Sequence, residues 1–148
     1  MPVTISIATP AEAEELTAAL RQLVPQLSRS NPPPSLEAVQ AMLAHDAITQ
    51  FVARRDDGSI VGVSTLAAFP IPTATRGWVE DVIVDEASNN QGIGRMLLDA
   101  MVERAGEIGC KTVDLTSRPS REDANHLYRK AGFEVRETNV YRFQVGPG

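Results

Sequence analysis

Apolar side chains near the beginning of the chain recur at the spacing of one helix face. They lie at Ala13, Leu16, Leu20, Leu23, Val24 and Leu27. Thr9 offers a capping hydroxyl, Pro10 suits the first helical position, and Glu12 follows three residues after the cap, which is a helix-start signature. The pattern therefore predicts a first helix over about residues 10–24.

Three prolines interrupt this helical pattern before it resumes. Pro32, Pro33 and Pro34 lack backbone donors and push the residues before them into extended conformations, so the first helix cannot cross them. Ser35 then supplies a hydroxyl cap for a second helix. We expect that short helix to end at about Ala44.

The spacing changes to that of strands from Ala47 onward. Residues 48–55 and 59–69 are rich in β-branched and apolar side chains, and residues 56–58 between them have the chemistry of a turn. An antiparallel hairpin is the expected structure. An earlier strand is expected over residues 3–7.

Strands and helices alternate through the second half of the chain. The pattern predicts strands over about 77–85 and 112–117, a helix after the glycine-bearing loop 88–94, a helix that ends at Gly132, and closing strands over about 133–136 and 139–145. The order of elements is then β, α, α, β, β, β, α, β, α, β, β. This order predicts an α/β fold with a mixed sheet and helices on both of its faces.

Length and composition agree with a single domain over residues 1–148. The chain has 148 residues, of which 43% are hydrophobic, and this is enough to bury one core. No apolar run approaches the roughly 20 residues that span a membrane. The first residues also lack the profile of a secretory signal, so we expect a cytoplasmic protein that does not bind membranes.

Charge and cysteine content argue against other classes of function. The formal net charge is −5 and Lys and Arg do not cluster, whereas nucleic-acid binding needs a basic face. Cys110 is the single cysteine, so it cannot form an internal disulfide, and no spaced pair of histidines accompanies it. We expect Cys110 to pack in the interior, and we expect neither a metal site nor a nucleic-acid partner.

The clearest chemical signal lies between the predicted strand at 77–85 and the helix that follows it. Gly92 and Gly94 open that helix, where free amides and the positive end of the helix dipole favour an anion such as a diphosphate. Tight packing of a strand-to-helix turn would use the same glycines. A P-loop sequence is absent, and the third glycine of a dinucleotide-binding fingerprint would fall at Leu97, so neither of those folds fits.

Two motifs, in this order, resemble the GNAT superfamily of acyl-CoA-dependent N-acyltransferases. The first is a strand followed by Arg/Gln-x-x-Gly-x-Gly/Ala at the start of a helix, which Gly92 and Gly94 match. The second is Ala-x-x-Leu-Tyr-x-x-x-Gly-Phe, which residues 124–133 match. The resemblance implies the acetyltransferase fold, with a central and mostly antiparallel sheet, and N-acetyl transfer from acetyl-CoA.

The resemblance also implies where acetyl-CoA would lie. The matching positions are Val82, Ile83, Val84, Asn89, Asn90, Gln91, Gly92, Ile93, Gly94, Arg95 and Arg121. The backbone of the three strand residues would pair with the pantetheine arm like an added strand. Asn89 stands where the family usually has Arg or Gln, Asn90 where Gly is frequent, and Arg121 where Asn is frequent. We expect Arg95 or Arg121 to supply the positive charge instead.

Acetyl transfer to an amine needs a proton acceptor, because an alkyl amine has a pKa of about 10.4. Glu80 and Asp81 are the candidates, since their strand is similar to the Ile-Glu-Asp strand of glucosamine-phosphate N-acetyltransferases. In a regular strand one of the two faces the cleft, unless a bulge intervenes, and Glu80 is preferred. Tyr128 is the implied acid for the CoA thiolate, and a backbone N–H near Ile83 the implied oxyanion donor.

Three functions remain open at this point. The first is an N-acetyltransferase for a primary amine of a small molecule, whose acceptor pocket would involve the first two helices and the loop at 69–76. The second is an amino-sugar phosphate acetyltransferase, for which Arg76 and Arg142 are available as phosphate ligands. The third is a non-catalytic CoA-binding sensor, suggested by Asn89 and Asn90. A homodimer through outer strands is a further hypothesis.

Overall fold

Five strands form one sheet in the computed structural model, which describes residues 2–89 and 91–147. The strands are β1 Val3–Ile7, β2 Ile48–Arg55, β3 Ile60–Ile71, β4 Ala74–Val84 and β5 Thr112–Asp114. They lie in this order across the sheet, with antiparallel pairing from β1 to β4 and parallel pairing between β4 and β5. The mixed and mostly antiparallel sheet predicted from the sequence is therefore confirmed.

Helices lie on both faces of this sheet, as predicted. Within the described ranges they are α1 Ala13–Leu27, α2 Leu36–Leu43, α3 Ile93–Ile108 and α4 Glu122–Lys130, with short 3-10 turns at Pro10–Glu12 and Glu86–Ser88. In the described part of the chain, no helix combines the length and the apolar character that crossing a membrane requires.

Each face of the sheet has its own apolar core. On one face, α3 packs against the strands in a cluster that includes Phe51, Leu66 and Leu97. On the other face, α1 and α2 pack in a cluster that includes Leu16 and Val52. Phe51 and Val52 are consecutive, and they enter different cores because successive strand residues point to opposite faces. The central strands therefore carry apolar side chains on both of their faces.

Ser35 caps α2 as predicted, whereas Thr9 caps the 3-10 turn Pro10–Glu12, and α1 itself begins three residues later than predicted, at Ala13. The Thr9 N–H donates to the Glu12 carboxylate at 2.9 Å, ahead of α1. The Ser35 hydroxyl oxygen accepts from the Ala38 N–H at 3.2 Å and caps α2. These bonds satisfy backbone or side-chain groups that a helix N-terminus otherwise leaves to water.

Helix α1 ends three residues later than predicted. It continues through Pro25 to Leu27 instead of ending at about residue 24. A proline inside a helix removes one backbone donor, but the turn around it still closes, because the Ser28 N–H donates to the Val24 carbonyl at 2.9 Å. The additional turn brings the end of α1 to the carboxyl end of β4.

The predicted hairpin of β2 and β3 is confirmed. Gly58 lies in its turn with φ +88°, a conformation that side chains other than glycine rarely adopt. The Asp57 carboxylate accepts from the Ser59 N–H at 2.9 Å and holds the same turn. This hairpin lies far along the chain from the glycines of the predicted anion site.

Cys110 packs as predicted, although it is only partly buried. It follows α3 and contacts the core on that face of the sheet. Its Sγ lies 3.4 Å from the position that a Cβ on Gly77 would occupy. Burial raises the pKa of the Cys110 thiol, which keeps the thiol protonated and unreactive.

The end of the chain differs from the prediction. The fifth strand covers Thr112–Asp114 rather than residues 112–117, and the closing strands predicted at 133–136 and 139–145 are wrong, because no strand is assigned among residues 133–147. An alternating pattern gives a segment strand character but does not supply a partner strand. The apolar side chains beyond residue 133 are exposed: Val135 by 82%, Val140 by 72%, Tyr141 by 87%, Phe143 by 87% and Val145 by 90%.

Candidate active site

The strands β4 and β5 separate after a short stretch of parallel pairing. Their register pairs are Arg76–Thr112, Gly77–Val113 and Trp78–Asp114. Beyond Trp78 the edge of β4 that faces β5 carries no partner strand in the described residues. An open cleft of about 120 Å³ lies there, lined by Leu27, Val79, Glu80, Asp81, Val82, Leu115, Thr116, Arg121 and Tyr128. The cleft thus combines a free backbone edge with acidic, basic and phenolic side chains.

A β-bulge shapes the β4 side of this cleft. Glu80 and Ile83 are three residues apart, but their register partners on β3 are only two apart. One additional residue is therefore inserted in β4, and a bulge leaves its inserted residue outside the regular ladder. Asp81 lies in this insertion with φ +47°, in the left-handed region that Asp tolerates better than most residues.

The bulge changes which side chains share a face. Val79 and Val82 pack against the same core cluster although they are three residues apart, whereas a regular strand would send them to opposite faces. Glu80 and Asp81 both line the cleft. The expectation that one of the two acids faces away applies to a regular strand, and it does not hold here.

Glu80 is oriented by a neighbouring indole. The Trp78 Nε1–H donates to Glu80 Oε2 at 2.6 Å. Residues 78 and 80 are two apart in β4, so they project from the same face before the bulge. One carboxylate oxygen of Glu80 is held in this way, and the other can accept a proton or a hydrogen bond from a ligand.

Tyr128 reaches the cleft from the opposite side. It lies on α4 and is half-buried, with its ring edge-on to Phe133 at 6.3 Å between centroids. The Phe133 N–H donates to the Tyr128 carbonyl at 3.0 Å and closes the end of α4. The fold therefore brings Tyr128 into the same cleft as Glu80 and Asp81, as the sequence analysis expected of residues that act on one substrate.

The two glycines of the loop have different physical roles. Gly92 is the N-cap of α3 with φ +74°, and a Cβ on it would meet no atom within 4 Å. Gly94 lies against α4, where an added Cβ would approach Leu127 Cδ2 at 3.2 Å. Gly92 therefore provides an unusual backbone conformation in front of open space, and Gly94 allows two helices to pack closely.

The positive partial charge at the N-terminus of α3 is not offset by an acidic side chain of its own first turn, within the described residues. The Arg95 guanidinium turns back along the helix, where it pairs with Asp99 at 3.0 Å and donates to the Lys130 carbonyl at 3.5 Å. The backbone amides of the turn are thus the main attraction for an anion in this conformation, and Arg95 adds to it only if it changes rotamer.

The remaining predicted cofactor positions fall into three groups. The side chains of Val82, Ile83 and Val84 belong to the two cores, so a ligand role for them concerns their backbone. Asn89 and Gln91 are exposed on the loop, whereas Asn90 lies outside the described residues. The remaining position, at the N-cap of α4, is Arg121, and its side chain lines the cleft.

Sequence reasoning missed the residues that hold the loop in place. Gln26 of α1 donates to Asp85 Oδ1 at 3.3 Å and accepts from the Glu86 N–H at 2.9 Å. The Arg55 guanidinium donates to the hydroxyl of Ser88, which is buried. The two partners in each contact are far apart along the chain, by 59, 60 and 33 positions respectively, so no local pattern could have indicated the contacts. The longer α1 is what places Gln26 at the loop.

Within residues 2–89 and 91–147, no group of three or more His, Cys, Asp or Glu side chains is placed to hold a metal ion. The acidic residues of the cleft are instead placed to meet a cationic or proton-donating group. The polar side chains that line the cleft are those of Glu80, Asp81, Thr116, Arg121 and Tyr128.

Known proteins resemble this chain in sequence and in fold. Residues 16–133 match the model of the acetyltransferase (GNAT) family. Mycothiol acetyltransferase of Propionibacterium freudenreichii subsp. shermanii is 35% identical over 89 residues, which cover 60% of this chain and 28% of that protein. Glucosamine 6-phosphate N-acetyltransferase of Trypanosoma brucei brucei is 30% identical over 96 residues, 63% of each chain. The chain thus spans less than two thirds of these relatives' length.

A solved structure shows the same architecture. A putative acetyltransferase from Agrobacterium tumefaciens str. C58 superposes with a TM-score of 0.83 at 25% sequence identity. The superposition covers 95% of this chain and 99% of the other. The whole arrangement of sheet and helices, and not only the loop motif, is therefore shared.

Proposed function

The chain belongs to the acetyltransferase (GNAT) family, and from this premise we propose that it transfers an acetyl group from acetyl-CoA to a primary amine of a small molecule. One observation carries the proposal beyond family membership. Glu80, Asp81 and Tyr128 come from different elements and line one cleft, beside a strand edge that has no partner. Proton removal, proton donation and alignment of an extended ligand can all take place there.

The turn at the start of α3 suits the diphosphate of the donor. Gly92 faces open space, so an anion can approach the backbone without meeting a Cβ. The helix dipole places the equivalent of about half a positive elementary charge at this end, and no carboxylate in the first turn competes with an anion for it. Because main-chain N–H groups supply the contact, Asn89 in place of the usual Arg or Gln is compatible with binding.

The free edge of β4 suits the extended arm of the donor. Residues 79–84 pair with β3 on one side, and the side that faces β5 is free within the described structure. An extended amide-bearing chain can add to such an edge as a further strand, with main-chain hydrogen bonds supplying affinity. The edge leads from the loop toward Glu80, so it would carry the reacting end of the donor into the cleft.

Glu80 is the proposed proton acceptor. An alkyl amine with a pKa of about 10.4 attacks only as the free base, so it must lose a proton near the reacting carbon. Trp78 donates to one oxygen of Glu80, which reduces the freedom of the exposed side chain and leaves the other oxygen available to accept a proton. Asp81 lies beside it and adds negative charge that favours a cationic acceptor.

Tyr128 and the bulge complete the proposed machinery. Acetyl-CoA, when bound, supplies the activated thioester. Tyr128 would donate its proton, or a hydrogen bond, to the sulfur as the thiol leaves. A main-chain N–H released from the ladder by the bulge near Ile83 would face the negative charge that develops on the carbonyl oxygen. The tyrosine is half-buried against Phe133, which limits its rotation.

An acceptor that carries a phosphate is the second candidate, and Arg121 is the observation that favours it. The sequence offered Arg76 and Arg142 as phosphate ligands, but Arg76 lies in the paired part of β4 and Arg142 in the exposed segment after residue 133. Neither lines the cleft, whereas Arg121 does. A relative of 30% identity is a glucosamine 6-phosphate N-acetyltransferase, and it makes an amino-sugar phosphate a rational first acceptor to assay.

The proposal is tested by measuring thiol release from acetyl-CoA with a mixed panel of small amines, amino sugars, amino-sugar phosphates and peptides. Release that depends on a small amine and yields the N-acetyl product by mass spectrometry is the expected result. A preference for amino-sugar phosphates that is lost in Arg121→Met at saturating acetyl-CoA, with turnover of amines that carry no phosphate retained, would select the second candidate. Tight binding of acetyl-CoA without release across the panel would instead identify a sensor and contradict catalysis.

A further inference from the structure

A row of three polar side chains crosses the centre of the sheet. The strand register pairs Gln50 on β2 with Thr65 on β3, and Thr65 with Glu80 on β4. Residues directly opposite each other on antiparallel strands project from the same face, with about 4.5–5.5 Å between their Cβ atoms. Gln50 is two residues from Val52, which belongs to the core beneath α1 and α2, so the row lies on that face of the sheet.

This polar row borders the apolar core and leads out of it. The next row along the strands is buried beneath α1 and α2, and it consists of Val52, Val63 and Ile83. Within the polar row, exposure increases from one strand to the next: Gln50 is only 3% exposed, Thr65 is half-buried and Glu80 is exposed. The row therefore connects the interior of the protein to the cleft that Glu80 lines.

The side-chain amide of Gln50 can take only one orientation in this row. Its Nε2 donates to the Ser64 carbonyl at 3.0 Å and to the Phe51 carbonyl at 3.3 Å. Carbonyl oxygens only accept hydrogen bonds, so the amide nitrogen must face them and the amide oxygen faces Thr65. The Thr65 hydroxyl consequently donates its hydrogen to Gln50 Oε1, at 2.6 Å.

This hydrogen bond restricts what the Thr65 hydroxyl can offer to a ligand. A hydroxyl has one hydrogen and two lone pairs, and the hydrogen of Thr65 is used toward the interior, so only its lone pairs remain. The carboxylate of Glu80, beside it on the next strand, also offers only acceptors. Two neighbouring acceptors suit a ligand atom that carries two hydrogens. A primary amine in its free-base form has two, whereas a secondary amine or an alcohol has one.

We propose that Thr65 is a specificity-determining contact of the acceptor site, and that Gln50 positions its hydroxyl, so that the protein selects primary amines over N-methylated amines. This assignment rests on the proposed function. One N–H of the amine donates to Glu80 and the other donates to Thr65 Oγ1. The nitrogen lone pair is then left for the thioester carbon.

The transfer step uses the two N–H groups differently. As the N–C bond forms and the C–S bond breaks, the proton directed at Glu80 leaves the nitrogen, and the sulfur takes a proton from Tyr128. The N–H directed at Thr65 stays on the nitrogen and becomes the N–H of the product amide. A secondary amine has one N–H, which Glu80 must remove, so Thr65 Oγ1 faces a methyl group. An acceptor left unpaired in this way lowers the rate by about tenfold.

Comparison of a primary amine with its N-methyl analogue tests this assignment. Both amines are taken from the acceptor panel, and kcat/KM is measured for each at saturating acetyl-CoA. The wild type should prefer the primary amine by about tenfold or more. Thr65→Val removes the hydroxyl and keeps the shape of the side chain, so it should reduce the preference by about tenfold. Thr65→Ser keeps a hydroxyl and should keep the preference.

Thr49→Val is the matched control. Thr49 precedes Gln50 in β2, so its side chain projects from the opposite face of the sheet. The variant makes the same chemical change in a central strand of the same sheet. It should leave the preference for the primary amine at the wild-type value, which separates the contact at Thr65 from a general effect on the sheet.

Two further variants test the role of Gln50. Gln50→Leu leaves the Thr65 hydroxyl without its acceptor, so the hydroxyl can rotate and donate. The preference should then fall although the hydroxyl is still present, a result that a purely structural role of Gln50 would not give. The double variant Gln50→Leu and Thr65→Val removes both partners of the hydrogen bond and leaves neither unpaired. It should lose the preference, and it replaces Thr65→Val if that variant does not fold.

The outcomes separate this assignment from the proposed function. A wild type that turns over both amines equally well, or a wild-type preference in Thr65→Val or in the double variant, overturns the role of Thr65 and leaves amine acetylation intact. An unchanged preference in Gln50→Leu overturns the positioning role of Gln50. Absence of thiol release by the wild type with every amine contradicts the proposed function itself, and the assignment falls with it.

Discussion

The two parts of the proposed site are built in different ways. The proposed donor part, from the end of β4 through the loop to Gly94, is contiguous in sequence and consists mainly of backbone groups. The proposed acceptor part is assembled from Glu80 on β4, Tyr128 on α4 and Leu27 at the end of α1, and it consists of side chains that line the cleft. Contiguous backbone sites can be read from a motif. Sites assembled from distant side chains depend on register, bulges and helix ends.

The difference predicts how variants should behave. Changes in the proposed acceptor part should lower turnover and leave donor affinity nearly constant, because we propose that those side chains act on the reacting atoms. Changes in the proposed donor part should weaken donor binding and spare the chemical step. Four substitutions test this division, in order of decreasing expected effect.

Tyr128→Phe should lower turnover by about 100-fold or more, the usual contribution of a positioned proton donor. The ring and its contact with Phe133 remain, so acetyl-CoA affinity should change little. Steady-state kinetics combined with calorimetric titration measure the two quantities. Tyr141→Phe is the matched control, since that tyrosine is 87% exposed, and it should keep full turnover. Equal turnover in both variants would remove Tyr128 from the mechanism.

Glu80→Gln should reduce turnover by roughly 100-fold near neutral pH, because the amine then loses its proton without a positioned base. The deficit should shrink as the pH approaches the pKa of the amine, about 10.4, since free base becomes abundant. A pH–rate profile of kcat/KM measures this. Glu103→Gln, an exposed acid on α3, is the control and should leave the profile unchanged. A deficit that stays constant across the pH range would contradict the role of Glu80 as base.

Gly92→Val should raise the Kd for acetyl-CoA about tenfold, because a side chain at φ +74° costs roughly 1–2 kcal/mol and shifts the turn. Turnover at saturating donor should be nearly retained. Gly58→Val is the matched control: its φ is +88° and its Cβ also meets no atom, but it lies in the β2–β3 hairpin. It should lower stability without changing donor affinity. Equal loss of affinity in both variants would show that the effect is general destabilisation.

Arg54→Met should lower the free energy of unfolding by about 1 kcal/mol near neutral pH. Arg54 pairs with Glu12 at 2.6 Å and with Glu15 at 2.7 Å, and so fastens the start of α1 to β2. The pKa of Glu12 is lowered by the hydrogen bond from the Thr9 N–H and then by Arg54. The pKa of Glu15 is lowered mainly by the hydrogen bond from Arg54.

The sign of the pH dependence follows from these lowered pKa values. Carboxylates whose pKa is depressed on folding stabilise the protein above their unfolded pKa of about 4.3 and lose that contribution as the pH falls through the folded value. The deficit of Arg54→Met should therefore be largest near neutral pH and small in acid. Urea unfolding at both pH values measures it, with Arg21→Met, an exposed arginine of α1, as the control. A deficit that grows in acid would contradict the ion cluster.

Much of the fold could be predicted from the sequence. Capping residues indicated the start of α2 and of the 3-10 turn that leads into α1. The hairpin and the β4–loop–α3 unit followed from spacing and turn chemistry. Their determinants are local. The end of α1 could not be predicted, because Pro25 looks like a helix terminator while the observed helix is retained by contacts with distant residues. Gln26 and its bonds to Asp85 and Glu86 were missed for the same reason.

The candidate site could be predicted in part. The glycine motif and the tyrosine motif identify residues that the structure brings to one end of β4. The sequence could not show on which face of the sheet the side chains of Glu80 and Asp81 lie. The bulge that decides this arises from the register between β3 and β4 rather than from β4 itself. The closing strands predicted at 133–136 and 139–145 are absent from residues 133–147, because alternation gives a segment strand character but does not supply a partner strand.

A crystal structure of the full chain with CoA tests the central claim most directly. We predict that the diphosphate contacts the main-chain N–H groups at the start of α3, that the pantetheine arm lies along the free edge of β4, and that the sulfur reaches the cleft beside Tyr128. A CoA molecule bound elsewhere, or one whose sulfur ends away from Tyr128 and Glu80, would contradict the account.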